Sequence, residues 1–162
     1  MAEQEENLIA YCSLYCGECF SYKGQIADLA RDLRKELRES KFEKTAEFLS
    51  ALSFFQVFQH YPQCYDVLGA FVKLRCKYAC KGGGGNPTCK IRKCCQKKGF
   101  AGCWECEEVE TCAKLDFLIP AHGDAHRRNL RILQKKGIEP FLTGKKFWYT
   151  KPEQPSGGKA VQ

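Results

Sequence analysis

Eight of the chain's twelve cysteines lie between Cys76 and Cys112, in the stretch CKYACKGGGGNPTCKIRKCCQKKGFAGCWECEEVETC. Thiols apart, its large apolar side chains are Tyr78, Ile91, Phe100, Trp104 and Val109. These are too few to bury a core of the usual kind, so something other than hydrophobic burial has to hold the stretch. A bound metal can do so, because closing a structural zinc site contributes on the order of 10–16 kcal/mol of apparent free energy. A whole domain is typically stable by only about 5–15 kcal/mol.

The 162 residues fit one domain. The expected organisation is a flexible start over residues 1–10, a single cysteine-rich helical domain over 11–150, and a disordered tail, KPEQPSGGKAVQ, over 151–162. The start, MAEQEEN, carries three glutamates and no basic group, unlike a secretory signal. No uncharged apolar run reaches the length of a membrane span. A cytoplasmic protein is expected, and abundant thiols in a reducing compartment point to metal binding or redox chemistry rather than to disulfides.

The formal net charge is +7. Two tetrathiolate sites, each around a 2+ ion or cluster core, would lower the +7 to +3. The local pattern agrees, since from Lys73 to Lys98 there are nine basic residues and no acidic one. Cations packed around thiolates favour the charged form. Charge compensation is therefore the first reading of this basic run, and a polyanion-binding face the second.

Near the start, Cys12, Cys16 and Cys19 form a compact C-x3-C-x2-C loop, with Gly17 easing the turn. The spacing resembles the one by which radical S-adenosylmethionine enzymes hold three irons of a [4Fe–4S] cluster. This chain is too short, and too poor in strand signals, to build their barrel.

Helical spacing of Ile26, Leu29, Ala30, Leu33 and Leu37 predicts an amphipathic helix from Gln25 to about Ser40. A second helix is expected over Phe42–His60, with Phe42, Ala46, Leu49, Leu52, Phe55 and Phe58 inward as the core on which the metal region packs. Pro62 breaks that pattern, and a third helix is expected from Tyr65 to Ala79, ending with Cys76 and Cys80 on one face at i and i+4. Cys64 has no partner at chelating spacing and reads as a small buried hydrophobe.

The glycine run Gly82–Gly85 lacks the Lys-Ser/Thr pair of a phosphate-binding loop and reads as a flexible hinge. Asn86 and Pro87 then open a short helix whose first turn carries Cys89. Cys94 and Cys95 project about 100° apart on such a helix, so one is a ligand and the other packs. Cys103 and Cys106 form a second C-x2-C, followed by Cys112. His122 is a candidate extra ligand or reactive group, and His126 a weaker one. The two share a face only if the helix ending at Lys136 begins before Gly123, and Asp124 is the alternative cap. Phe147, Trp148 and Tyr149 are candidates to dock the C-terminal segment.

Together, YCSLYCGECFSYKGQIADLARDLRKEL, LRCKYACKGGGGNPTCKIRKCC, GCWECEEVETC and KLDFLIPAHGDAHRRNLRIL resemble the small, cysteine-rich prokaryotic family known as domain of unknown function 3795. The resemblance implies metal binding but no established reaction. It matches Cys12, Cys16, Cys19, Cys76, Cys80, Cys89, Cys94, Cys103, Cys106 and Cys112, and leaves Cys64 and Cys95 outside.

The expected protein is thus mainly α-helical, with a metal-stapled, loop-rich cysteine region to which the Cys12–Cys19 loop contributes ligands. Zinc, about two ions in structural all-cysteine sites, is the leading cofactor. A [4Fe–4S] cluster using the Cys12 loop, in a redox protein or enzyme subunit, is the alternative. No nucleophile, base or nucleotide fingerprint is visible. The expected role is an interaction module for an unidentified protein or polyanion, with nucleic acid less favoured and no membrane partner.

Overall fold

The computed structural model describes residues 2–150, with side chains from residue 4 onward, so the expected tail over 151–162 lies outside the described residues. Its regular structure is helical, as the sequence predicts. In chain order the helices are α1 (Ala2–Glu6), α2 (Phe20–Lys23), α3 (Gln25–Glu39), α4 (Phe42–Ser50), α5 (Tyr61–Lys73), α6 (Lys90–Lys98), α7 (Ile119–His122), α8 (Ala125–Lys136) and α9 (Ile138–Thr143), with short 3-10 turns between several of them. Among the described residues the only β pairing is an isolated antiparallel bridge between Ile9 and Tyr15. No described helix is long and apolar enough to cross a membrane.

The described chain gathers into two compact units, one of Phe20–Lys77 and one of the segments before and after it.

In the unit Phe20–Lys77, α3 packs along α5. The Arg34 guanidinium lies against Gly69, where a Cβ would stand 2.1 Å from it, and 4.3 Å above the Tyr65 ring. The predicted helix over Phe42–His60 is interrupted. It stops at Ser50, Leu52 is extended, and Ser53–His60 restarts as 3-10 turns with Phe55 out of helical geometry. The restart shifts the phase of the aromatic residues, and they do not form the buried core expected of them. Ala46 is buried and Phe42 packs on Phe58 and Tyr61, but Phe54 is 92% exposed and Phe48, Leu52, Phe55 and Val57 are also exposed.

The third helix also differs. It starts at Tyr61 because Pro62 sits in its first turn, where its missing N–H costs nothing. It ends at Lys73, so Cys76 and Cys80 lie beyond it and do not share a helical face. Cys64 is exposed rather than buried.

The other unit contains a real hydrophobic core. Leu14, Ile91, Cys95, Val109, Leu115, Leu118, Ala125 and Leu130 are buried together, and Ile9, Leu133 and Phe141 form a second cluster. Ile9 and Ala10, in the segment expected to be flexible, are buried. Helix α8 supplies the inner face through Ala125, His126, Asn129, Leu130 and Leu133. It ends at Gly137 as the sequence predicts. The fully buried Asn129 amide donates to the carbonyls of Ser13 (3.1 Å) and Phe147 (2.8 Å) and accepts the Phe147 N–H (2.9 Å), tying both chain ends to α8. His122 and His126 lie on different helices, because Gly123 (φ +61°) breaks α7 from α8. Asp124 occupies the N-cap position, but its carboxylate pairs with Arg128 at 2.8 Å rather than with a helix amide.

Candidate metal centre

The sequence of the Cys12 loop folds into a tight reversal. Ser13 takes a left-handed backbone (φ 70°), Ala10 and Leu14 pair through N–H···O at 2.8 Å, and the Cys16 N–H reaches the Leu8 carbonyl at 2.7 Å. The Ser13 hydroxyl donates to the His126 carbonyl at 2.7 Å, fastening the turn to α8. The Tyr11 carbonyl accepts the Cys103 N–H at 2.8 Å, joining the two C-x2-C segments through the backbone.

The reversal sets Cys12 among Cys80, Cys89 and Cys16, the thiols that act on it electrostatically. Three of these sulfurs receive backbone N–H groups: Cys12 from Leu14, Cys80 from Tyr11, and Cys16 from Cys80 at 3.4 Å. Burial pushes the Cys12 thiol up to about 12, more than the Leu14 amide lowers it, and burial raises Cys80 as well. Cys89 stands at the N-cap of α6 rather than in its first turn. Asn86 does not start the helix; its side-chain oxygen accepts the Thr88 N–H at 2.8 Å.

The second group surrounds a cavity of about 30 Å³ lined by Cys94, Cys95, Cys103, Cys106 and Cys112. The Cys95 and Cys103 sulfurs are 3.6 Å apart. The shared hydrogen bond lowers Cys95, with Lys98 helping, and raises Cys103, so the pair gives up its first proton more readily than its second. The Lys98 ammonium lies 3.7 Å from the Cys106 sulfur, which raises the lysine's own pKa. The two groups adjoin: Cys103 also feels Cys12, and Cys80 feels Cys95.

Cys95 and Arg92 carry weight that the sequence reading did not assign. Cys95 follows Ile91 by one turn, and both are buried, whereas Cys94 follows Lys90 on the outer side. The apolar Ile91 was therefore a usable signal for which thiol points inward. Arg92 is buried, donates to the carbonyls of Cys80 and Gly84 at 3.0 Å each and to that of Asn86, and lowers the Cys80 thiol. It pins the glycine loop to α6.

Of the other expected ligands, Cys19 closes the turn that begins at Cys16, with its N–H on the Cys16 carbonyl at 3.0 Å. Cys76 belongs to the unit Phe20–Lys77, where its N–H bonds the Ser21 carbonyl at 2.9 Å. His122 Nδ1 donates to the Trp148 carbonyl at 2.9 Å and its ring stacks on Tyr149, so it clasps the C-terminal segment. His126 is fully buried, and neither ring nitrogen has a hydrogen-bond partner.

As folded, these thiols are neighbours rather than a finished chelate: among the described residues, no three Cys, His, Asp or Glu side chains converge as an ion would draw them. The donor set nonetheless suits a thiophilic cation. Backbone N–H groups on sulfur favour the thiolate, whereas burial of Cys12 and Cys80 favours the neutral thiol, so a bound cation would have to supply the charge that keeps them ionised.

Fold and site thus define a small helical protein organised around clustered thiols. The family model described as "Protein of unknown function (DUF3795)" matches residues 8–117, and the chain belongs to that family. No curated protein and no solved structure gives a significant match.

Proposed function

We propose that the chain is a metal-binding protein whose clustered thiols hold zinc in closed, structural, all-cysteine sites, and that it works as an interaction module in a reducing compartment, the cytosol. The assignment favoured by the thiol neighbours is two ions, one on Cys12, Cys16, Cys80 and Cys89 and one on Cys95, Cys103, Cys106 and Cys112. In this reading Cys19, Cys76, Cys94 and His122 are spare. The observation that carries it is the pairing of backbone N–H groups with the sulfurs of Cys12, Cys16 and Cys80, a cost in polar groups that uncharged structural thiols do not require. The chain's part is to present the sulfurs, exclude water and supply Lys98 and Arg92 as compensating charge.

Elemental analysis and a visible spectrum on protein purified without oxygen test the proposal. About two zinc per chain and no colour support it. Iron with acid-labile sulfide and a brown absorption would replace zinc by an iron–sulfur cluster and restore the Cys12, Cys16 and Cys19 loop as an electron-transfer centre. Stable, metal-free protein in strong chelator would sink both.

A further inference from the structure

The outer face of α6 is a groove of ammonium groups. Lys90, Lys93, Lys97, Lys98 and Lys114 line an open concavity of about 570 Å³ together with Cys94, and all five lysines are exposed. No carboxylate lines it. Lys98 is 3.8 Å from Glu108, whereas Lys90, Lys93, Lys97 and Lys114 have no ion pair among the described residues. The opposite side of the helix, Ile91, Arg92 and Cys95, is buried, so the lysines are held on a fixed support.

We propose that this groove binds the sugar–phosphate backbone of a nucleic-acid duplex. From Lys90 to Lys97 the helix rises on the order of 10 Å, which spans several phosphates and exceeds one small anion. A protein partner fits less well, because interface cores depend on aromatic and apolar anchors and are depleted in lysine, and the groove offers no such anchor. A single strand fits less well too, since its usual binders stack bases on aromatic side chains. An anionic bilayer would also attract these lysines, but they line a concavity, which fits a rod-like backbone better than a flat surface. Lysine, a mobile point charge, reads phosphate without reading sequence. The inference names the partner of the interaction module proposed above, and rests on that reading only for what holds α6 in place.

The test is fluorescence anisotropy of a labelled 20-base-pair DNA duplex of arbitrary sequence, titrated with the whole chain between 50 and 200 mM salt. Four unpaired lysines predict a slope of log affinity against log salt of about −3.6 and a loss of about 10²-fold over that range. The double variant Lys93→Glu/Lys97→Glu should weaken binding at 50 mM salt by about 10²-fold, while the charge-matched Lys135→Glu/Lys136→Glu, at the far end of α8, should bind within about threefold of the parent. Circular dichroism and metal content, unchanged in both variants, show that neither has unfolded. Equal loss in the two variants would reduce the effect to net charge and overturn the assignment, as would salt-independent binding, no binding at 50 mM salt, or tighter binding of poly-glutamate or of the matching single strand. Protein that carries two zinc ions but ignores the duplex sinks this inference alone; metal-free protein that still binds through Lys93 and Lys97 sinks only the thiol reading.

Discussion

The Cys95 sulfur lies 3.6 Å from the Cys103 sulfur. A zinc–sulfur bond of about 2.3 Å in tetrahedral geometry puts two sulfurs about 3.8 Å apart, so the pair already has the spacing of two ligands on one ion. Cys95→Ser should therefore lower bound zinc by about one equivalent and destabilise the surrounding core. Cys94→Ser, on the lysine side of α6, and Cys64→Ser, exposed on α5, should keep the full complement. Metal per chain and the thiolate-to-metal absorption of the cobalt-substituted protein measure this directly. Retention of both ions by Cys95→Ser with loss of one by Cys94→Ser would reverse the assignment.

How far the sequence could be read follows from the length of each signal. The α3 period runs for three turns or more, and the helix forms close to where the pattern puts it, whereas for α8 the sequence marks only the end at Lys136, before Gly137. The pattern over Phe42–His60 also looks helical, but nothing local announces the extended residue at Leu52, and one such residue is enough to turn the following aromatics out. Pro62 was read as a stop when it is a first-turn residue, which displaced α5 by four positions and took Cys76 and Cys80 off the helix. Thiol spacing in sequence identified chelate-like pairs but not their neighbours. That the Cys12 loop meets Cys80 and Cys89 depends on backbone bonds such as Cys103 to Tyr11, which join residues far apart in the chain and leave no local pattern. The part of the core around Val109, Leu115 and Leu118 leaves no such signal, because these residues lie on short 3-10 turns, each too brief to show a period.

The four glycines after Lys81 are not equivalent, contrary to a uniform hinge. A Cβ on Gly84 would fall 1.7 Å from the Tyr78 carbonyl oxygen, whereas one on Gly82 would make an ordinary 3.4 Å contact. Gly84 also donates its N–H to Ala79 at 2.9 Å and offers its carbonyl to Arg92. Gly84→Ala must move backbone, and overpacking of this kind typically costs about 1–3 kcal/mol. Gly82→Ala should cost under about 0.5 kcal/mol, as surface substitutions generally do. Urea denaturation of the two variants makes the comparison, and equal midpoints would contradict an ordered loop.

Buried His126 makes stability depend on acid. Burial, followed by the charges of Arg127 and His122, lowers its pKa from 6.5 to about 4. Between those values the unfolded chain binds a proton that the native chain does not, so stability falls as pH drops through this window, by about 1.4 kcal/mol per pH unit at most. Above pH 6.5 neither state is protonated at this residue, and the contribution to the slope vanishes. His126→Leu removes the two unpartnered nitrogens and this acid sensitivity with them, so its stability relative to the parent should rise as pH drops from 6.5 to 4, while at pH 7.5 it should be equal or higher. Chemical denaturation of both proteins at several pH values provides the difference, which also cancels acid effects on the thiols. Parallel pH curves would mean that the ring finds a partner on protonation.

Asn129 is as fully buried as His126, but its amide oxygen and nitrogen both have partners. One amide joins the Cys12 loop, through Ser13, to the C-terminal segment, through Phe147. Asn129→Ala would leave the Phe147 N–H and two carbonyls without their partner, at about 1–3 kcal/mol for a buried unsatisfied group. Asn129→Leu should be no better, because shape is restored but the backbone groups stay unpaired. The C-terminal segment should loosen first, since His122, Thr150 and Asn129 hold it and Asn129 joins it by hydrogen bonds to Ser13 of the Cys12 turn. Trp148 lies in that segment and meets the His122 ring edge at 5.0 Å, so its fluorescence should shift to the red in Asn129→Ala under native conditions. In His122→Ala the same shift should appear without the loss of global stability, because His122 holds only the segment. An unshifted spectrum in Asn129→Ala, together with lowered stability, would place the cost at the Ser13 turn and not at the clasp.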